Sequence, residues 1–398
     1  MEQVLYKLPD GWEWSNLTDI CTPSRKTVEP NPEEQYNYIG LENIESHTGK
    51  VISDSPTKGS EISSTKVSFK KGMVLYGKLR PYLNKVVVAK IDGIATTEII
   101  PFECSDAISP DFLAYYLRSQ YFVDLAMNNC SGARMPRATT KLFTQIAKVP
   151  VTSITEQKRI VEKLDALLTR IDSAIEHLQE SVTLADALYA STINEQMMQA
   201  IELAGLSTVE KHIEQIQTGT TPPTKQPEFY ENGDINWFAP SDFGEHDILF
   251  DSNKKLSQKA FDAGKARKFD AGTIMLVAIG ATIGKIGYLE QDASSNQQIT
   301  GMKFNSAIIP RYAYYWFRFI KPEILTNAST ATLPIINQKG IKALSFCAPN
   351  KQLQETICRK IDEVSNFRNK VKAELNEKVE LMRSLKASIL DSAFKGDL

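Results

Sequence analysis

The side chains with the most evident recognition chemistry fall in loops that recur in both halves of the sequence. In the first half, Lys78, Arg80, Tyr82, Asn84 and Lys85 crowd one loop, and Arg134 and Arg137 occupy a second. In the second half the corresponding loops hold Thr220, Thr221, Lys225, Ser241, Lys285, Asn296, Gln297 and Gln298. Arg and Lys contact guanine edges or phosphates, and Asn and Gln bond bidentately to adenine. Taken singly, each is more often a solvated surface residue. Their clustering in matched loops is what points to the reading of double-stranded DNA.

Other patterns point to less. Gly280-Ala281-Thr282-Ile283-Gly284-Lys285 is one residue short of a phosphate-binding loop, and Ile286 stands where Ser or Thr would hold magnesium. A glycine-assisted turn between two strands is the expectation. Asp111 followed by Glu156-Gln157-Lys158 has a nuclease-like order, but Ser153 with Glu156 reads better as a helix capping box. His47, His177, His212 and His246 share no metal-binding spacing. No glycine-rich strand-to-helix loop for S-adenosylmethionine and no Asn-Pro-Pro-aromatic tetrapeptide occurs. Cys21, Cys104, Cys130, Cys347 and Cys358 are odd in number and far apart. They imply neither a disulfide framework nor a zinc site, and fit a reducing, cytoplasmic setting.

The elements that must position the loops are repeated. A heptad seam runs through Val161, Leu164, Leu168, Ile171, Ile175, Leu178, Val182, Ala185 and Tyr189, in a helix expected over residues 155–204. A poorer seam follows over 352–394, through Ile357, Ile361, Val364, Val371, Leu375, Met382, Leu385 and Ile389. Arg368 and Lys378 interrupt it, with Phe367 and Leu381 expected to cover the gap. Gln157, Ile160, Lys163 and Asp165 match Gln354, Ile357, Lys360 and Asp362 in register. Ahead of each helix the same series of strands, loops and a proline-initiated helix recurs at a spacing of about 200 residues. A helix is expected over 110–125 in the first half and over 310–319 in the second, with a loop over 329–334 answering that over 131–137.

The fold class is therefore α+β. Two similar domains of mixed strands and short helices, 1–153 and 206–350, alternate with long spacer helices, 154–205 and 351–398. The helices are expected to pair as an antiparallel coiled coil with an internal pseudo-two-fold axis. The shared skeleton with different loops suggests one task performed on two targets, and drift of the loops after duplication gives the same pattern. At 398 residues, 42% hydrophobic and 24% charged, the composition is that of a globular protein with more than one domain. A net charge of −2 leaves no global nucleic-acid footprint, so attraction to DNA must be local or shared with a partner. No apolar run is long enough for a bilayer, and MEQVLYKLPD lacks a signal peptide's core.

Leu8-Pro9-Asp10-Gly11-Trp12-Glu13-Trp14 resembles the opening of a Type I restriction–modification specificity (S) subunit. Thr155-Glu156-Gln157-Lys158-Arg159-Ile160-Val161-Glu162-Lys163-Leu164-Asp165 resembles that family's central helix start, and Ser388-Ile389-Leu390 through Ala393-Phe394 and Gly396 to Leu398 its ending. The second helix start, Lys351-Gln352-Leu353-Gln354, lacks the family's Glu-Gln pair. The resemblance implies a non-catalytic subunit that reads an asymmetric bipartite site, one half per target recognition domain. It also implies two methylation (M) subunits binding S-adenosylmethionine for adenine-N6 methylation, and two restriction (R) subunits using ATP and Mg. Leu167, Leu184 and Leu188, beside the first seam, are expected to dock M-subunit helices. The alternative is a coiled-coil scaffold with two protein- or ligand-binding domains; a nuclease or methyltransferase in its own right is the third reading.

At about 1.5 Å per residue, some 35 packed helical residues make a spacer of roughly 50 Å. Inserting one helical turn into the spacer is expected to lengthen the gap between half-sites and leave both half-sites unchanged. Methylation at the original spacing by such a variant would sink the ruler idea.

Overall fold

The computed structural model describes residues 2–52, 55–244, 248–328 and 333–398. It comprises two compact units, Met1–Gln179 with Leu375–Leu398, and Glu180–Glu374. Each is α+β with mixed sheets. Two long helices, Ile154–Ala204 and Lys351–Ala393, contribute to both units.

In the first unit an antiparallel sheet runs in the order Cys21–Pro23, Ile99–Cys104, Val74–Gly77, Val86–Val88. These are short apolar runs, and Val74, Leu75, Val86 and Ile99 are buried. A mixed sheet orders Thr27–Val28, Lys66–Phe69, Gly93–Ala95 and Tyr38–Ile39. The opening strand Glu13–Asn16 pairs antiparallel with Lys148–Val151 just before the long helix. Trp14 meets Tyr6 edge-on at 4.9 Å, and Trp12 lies 6.0 Å from Phe112, so the tryptophans seat the start of the chain.

The single helix expected over 110–125 is two helices, Pro110–Arg118 and Gln120–Asn128. Ser119 leaves the helical region at ψ 149°, and its Oγ accepts the Phe122 N–H at 3.3 Å. A serine that caps a new helix competes with continuation of the old one. The same apolar cluster holds Phe112 and Tyr116 with Leu164 and Leu168 of the first long helix and Leu390 and Ala393 of the second, and both Phe112 and Tyr116 meet Phe394 just past its end. Arg159 donates to the Leu398 carbonyl at 2.7 Å and Lys386 to Asp172 at 2.6 Å. Partner numbers fall as helix numbers rise, so the two segments run in opposite directions in this unit.

The second unit orders Ile213–Thr218, Ile299–Phe304, Ile274–Val277, Ile286–Leu289 and Ile248–Leu249 in one sheet. Its helix Pro310–Phe319 agrees with the sequence expectation. Tyr312, Tyr314, Tyr315, Trp316 and Phe317 are each 0% exposed, which makes this helix the centre of the unit. Lys372 donates to Asp186 at 3.1 Å, and the Arg368 guanidinium lies 4.1 Å from the Tyr189 ring centroid, again in opposite chain directions.

The seam of the second long helix differs from the expectation. Phe367 and Leu381 are exposed and do not fill its gaps, and Leu385 is exposed as well. Arg368 itself is buried, its charge spread over the Tyr189 face and towards Asp186 at 3.9 Å. Near Lys378 the buried residue is Val379, one position on.

The matched helix starts have matched work. Gln157 and Gln354 are each 0% exposed. Gln157 Nε2 donates to the carbonyls of Ala107 and Thr152, and its Oε1 accepts the Ser109 N–H. Gln354 bonds Ala307, Pro349 and Ile309 in the same way. Asp165 accepts the Tyr115 hydroxyl and Asp362 the Tyr315 hydroxyl. Ser153 Oγ caps the Glu156 N–H at 3.3 Å, while the Glu156 carboxylate turns to Arg159. Half of the expected capping box is present, and an ion pair takes the other half's place.

Candidate functional site

Strand Val74–Gly77 ends in the first basic loop, and the fold brings the second basic loop against it. Lys78 N–H donates to Glu98 O at 2.9 Å, Arg80 N–H to Pro136 O at 2.6 Å and Ala138 N–H to Lys78 O at 2.8 Å. Leu79 and Arg137 form an antiparallel bridge. Loops separated by some fifty residues in sequence thus make one surface.

The second unit builds the same frame. Ala278 N–H donates to Gln298 O at 2.8 Å, Gly280 N–H to Pro334 O at 3.0 Å and Ile336 N–H to Ala278 O at 3.0 Å. Ile279 and Ile335 form the corresponding bridge. Ser329 and Ala331, expected in the answering loop, lie outside the described residues, as does His246. Gly280–Lys285 joins strands Ile274–Val277 and Ile286–Leu289 as a hairpin turn, with φ of 105° at Gly280 and 82° at Gly284. Arg80 and Asn84 hold the same left-handed places in the first unit, at 51° and 49°.

Within these frames the side chains have different fates. Arg134 and Tyr82 are exposed, and Lys78 and Arg80 partly so. Arg137 is exposed but bound by both carboxylate oxygens of Glu98 at 2.9 Å, which cancels much of its local field. Lys85 donates to Leu41 O at 2.6 Å. Asn84 is 9% exposed and donates to Arg118 O at 2.7 Å. In the second unit Thr221 donates to Gln297, beside a Thr220 N–H on Ser295 O at 2.9 Å. Gly219 is required there, because a Cβ would sit 2.3 Å from the Asn296 carbonyl oxygen. Lys225 and Ser241 are exposed. Lys285 donates to Phe243 O at 3.0 Å. Asn296 is buried and bonded to Gln298, which is partly exposed.

Asn84, Lys85, Lys285 and Asn296 are therefore engaged in holding the loops, whereas Lys78, Arg134, Lys225 and Gln297 present polar groups outward. Asn84→Ala is expected to cost about 1–2 kcal/mol, from the left-handed strain and the lost amide bond. Asn84→Gly is expected to cost less, since glycine serves at the equivalent Gly284. Urea unfolding of both variants checks this; equal losses would remove the backbone part of the argument.

Arg80 Nε, Asn84 Oδ1 and Arg118 Nε are the buried side-chain polar atoms without a hydrogen-bond partner among the described residues. Asn84 and Arg118 line a cavity of about 610 Å³ that His47, Lys50 and Lys386 also border. Buried groups of this kind are few in a folded protein, and here they gather around one loop.

Two basic stretches escaped the sequence reading. Ser24 N–H bonds Pro101 O where the strand Cys21–Pro23 runs out. The exposed Arg25 and Lys26 follow directly, and strand register equates them with Thr218 and Gly219, just ahead of Thr220 and Thr221. In the second unit Lys265, Arg267 and Lys268 are exposed. Thr220 Oγ1 donates to Lys265 O at 3.1 Å, and Arg267 to Thr218 O at 2.8 Å. The signal in sequence was the short basic runs themselves, whose neighbours only strand pairing reveals. Among the described residues no group of three or more His, Cys, Asp or Glu side chains is placed to hold a metal ion, and no helix is long and apolar enough to cross a membrane.

Residues 9–184 and 211–381 match the family described as the Type I restriction modification DNA specificity domain. The chain is 22% identical to the specificity subunit of the StySPI Type I restriction enzyme of Salmonella potsdam, covering 98% of this chain and 90% of that one. It is 26% identical to the specificity subunit of the EcoDI enzyme of Escherichia coli over 48% of this chain, a match spanning only 42% of that relative's length. A chain solved in work on complex assembly and conformational transition of the type I R-M system superposes with a TM-score of 0.80 at 21% identity, covering 99% of this chain and 100% of that one. The crystal structure of the HsdS subunit from Thermoanaerobacter tengcongensis gives 0.55 at 21% identity, with 99% of each chain covered.

Proposed function

Because the chain belongs to the Type I restriction–modification DNA specificity family, we infer that it is the subunit that selects the DNA sequence and that it does no catalysis itself. One observation carries the reading: the same hydrogen-bonded frame in both units presents different side chains. Lys78, Arg80 and Glu98 in one correspond to Ala278, Gly280 and Gln298 in the other. A frame held by main-chain bonds tolerates exchange of the groups that meet base edges, so each unit can read its own half-site.

The recognition domains on this reading are 1–153 and 206–350, with Asn84, Lys85, Lys285 and Asn296 holding the loops and Lys78, Arg134, Lys225 and Gln297 meeting DNA. Arg25, Lys26, Lys265 and Arg267 join them as phosphate contacts. The helical segments 154–205 and 351–398 pair as an antiparallel coiled coil about an internal pseudo-two-fold axis. The opposed helix directions inside each unit support this.

The partners are two M subunits that bind S-adenosylmethionine, and two R subunits that bind ATP and Mg. Leu184 and Leu188 are 62% and 49% exposed. In the repeat they correspond to Leu381 and Leu385, 61% and 47% exposed. One exposed leucine pair per repeat, with Leu167 partly exposed beside the first seam, supports two equivalent docking sites for M-subunit helices.

The deciding experiment expresses the chain with and without its M subunit in a host lacking adenine methylation and maps modified bases. The expected result is a split, asymmetric motif with a fixed gap that needs both chains. Absence of any motif from an assembled complex would favour the scaffold reading.

A further inference from the structure

Cys21 and Cys104 are 83 positions apart in sequence, and their Sγ atoms are 3.7 Å apart, both as free thiols. Strand register sets them directly opposite each other on Cys21–Pro23 and Ile99–Cys104. The Ser105 N–H donates to Ile20 O at 2.9 Å. That bond flanks the pair on its outer side, which makes Cys21 and Cys104 a non-hydrogen-bonded pair of the ladder. At such pairs the Cα atoms approach to about 4.5 Å and the side chains are closest. That separation lies inside the range of about 4.4–6.8 Å that a disulfide spans. The sulfurs, 3.7 Å apart, are within reach of each other by rotation about the Cα–Cβ bonds.

The two thiols are not equivalent. Cys21 is 4% exposed, whereas Cys104 is partly exposed. The Cys21 thiol donates its hydrogen to Cys104. This bond pulls the Cys104 thiol below its ordinary pKa against burial and the nearby Asp111 carboxylate, and the same bond with burial pushes Cys21 up. Cys104 is thus the attacking sulfur and Cys21 the resolving one.

We propose that Cys104 and Cys21 form a reversible oxidation site whose co-substrate is a hydroperoxide. The Cys104 thiolate attacks one peroxide oxygen, the O–O bond breaks, and the departing oxygen takes up a proton, leaving Cys104 as a sulfenic acid. Cys21 sulfur then attacks the Cys104 sulfur. The S–O bond breaks, water leaves with the Cys21 proton, and an S–S bond forms. With hydrogen peroxide the sum is two thiols and one peroxide giving one disulfide and two waters. The two sulfurs supply both electrons. A thiol reductant reverses the step by exchange.

The bridge would tie edge strand Cys21–Pro23, which leads into Arg25 and Lys26, to the strand whose other end pairs Ile99 with Gly77 beside the basic loop. The chemistry stands whether or not that loop meets DNA.

The test treats the reduced full-length chain with a few-fold excess of hydrogen peroxide and maps its peptides without reductant. The expected product is a peptide pair linking Cys21 to Cys104, two hydrogens lighter than its parts and separated by dithiothreitol. Cys21→Ala is expected to stop at the Cys104 sulfenic acid, captured by dimedone. Cys130, also partly exposed, is the internal comparison. Oxidation of Cys130 with Cys104 left reduced, or of Cys104 without linkage to Cys21, overturns the proposal. The map of the unaltered chain decides the matter even if the variant fails to fold.

Discussion

Gln157→Leu is expected to destabilise the first unit by about 2–4 kcal/mol. Leucine fills nearly the same volume but can neither donate to the Ala107 and Thr152 carbonyls, at 2.9 and 2.8 Å, nor accept the Ser109 N–H at 2.8 Å. Ala107 is exposed, so its carbonyl can turn to water. The Ser109 N–H and the Thr152 carbonyl have less access, and each orphaned buried group costs about 1–3 kcal/mol. Gln157→Glu is a sharper probe, since a carboxylate keeps the acceptor and loses both donors. Gln354→Leu is expected to act on the second unit in the same way, through Ala307, Pro349 and Ile309. Urea unfolding followed by tryptophan fluorescence reports the loss. A change under 1 kcal/mol for Gln157→Leu would show that the amide does not hold the helix start to the domain.

The second large effect concerns DNA. Lys78→Ala with Arg134→Ala is expected to weaken DNA binding by the assembled restriction–modification complex by roughly 30–1000-fold, taking about 1–2 kcal/mol for each lost contact. The slope of log affinity against log salt should fall by about two if both side chains meet phosphates. Lost discrimination at one base position, with a smaller change in slope, would instead assign one of them to a base edge. Preference at the other half-site should be unchanged. Arg137→Ala is a useful contrast, because Glu98 already neutralises that guanidinium and its removal should move the salt slope less. Full affinity and an unaltered salt slope in the folded double variant would remove this loop from the interface.

Several structural features were legible without coordinates because they are periodic or local. The two long helices follow from apolar residues at alternating three- and four-residue steps. The runs expected over 155–204 and 352–394 differ from the observed helices by a single residue at most at each end, whereas the spacer drawn to 398 overruns the second helix, which ends at Ala393. The turn at Gly280–Lys285 and the proline-started helix at Pro310 follow from residues whose backbone preferences act within a few positions. The internal repeat was visible too, since Gln157 and Gln354 stand in register, although their buried bonding was not.

What only the tertiary structure decided depends on which distant segments meet. The break at Ser119 is a contest between two helical outcomes that hydrophobic spacing does not separate. Arg368 reads as a fault in an apolar seam until Tyr189 and Asp186 are placed beside it. Asn84, Lys85, Lys285 and Asn296 have the chemistry to meet a base or a phosphate, yet the fold bonds each of them to backbone or side-chain groups, with Asn84 Oδ1 left over. Cys21 and Cys104, unrelated by spacing, face each other across two strands. Sequence alone determined the repeated skeleton, the long helices and the family likeness, because local preference and periodicity are written in neighbouring residues. The tertiary structure decided which polar groups are left to face a ligand, because strand register and burial are set by residues far away in the chain.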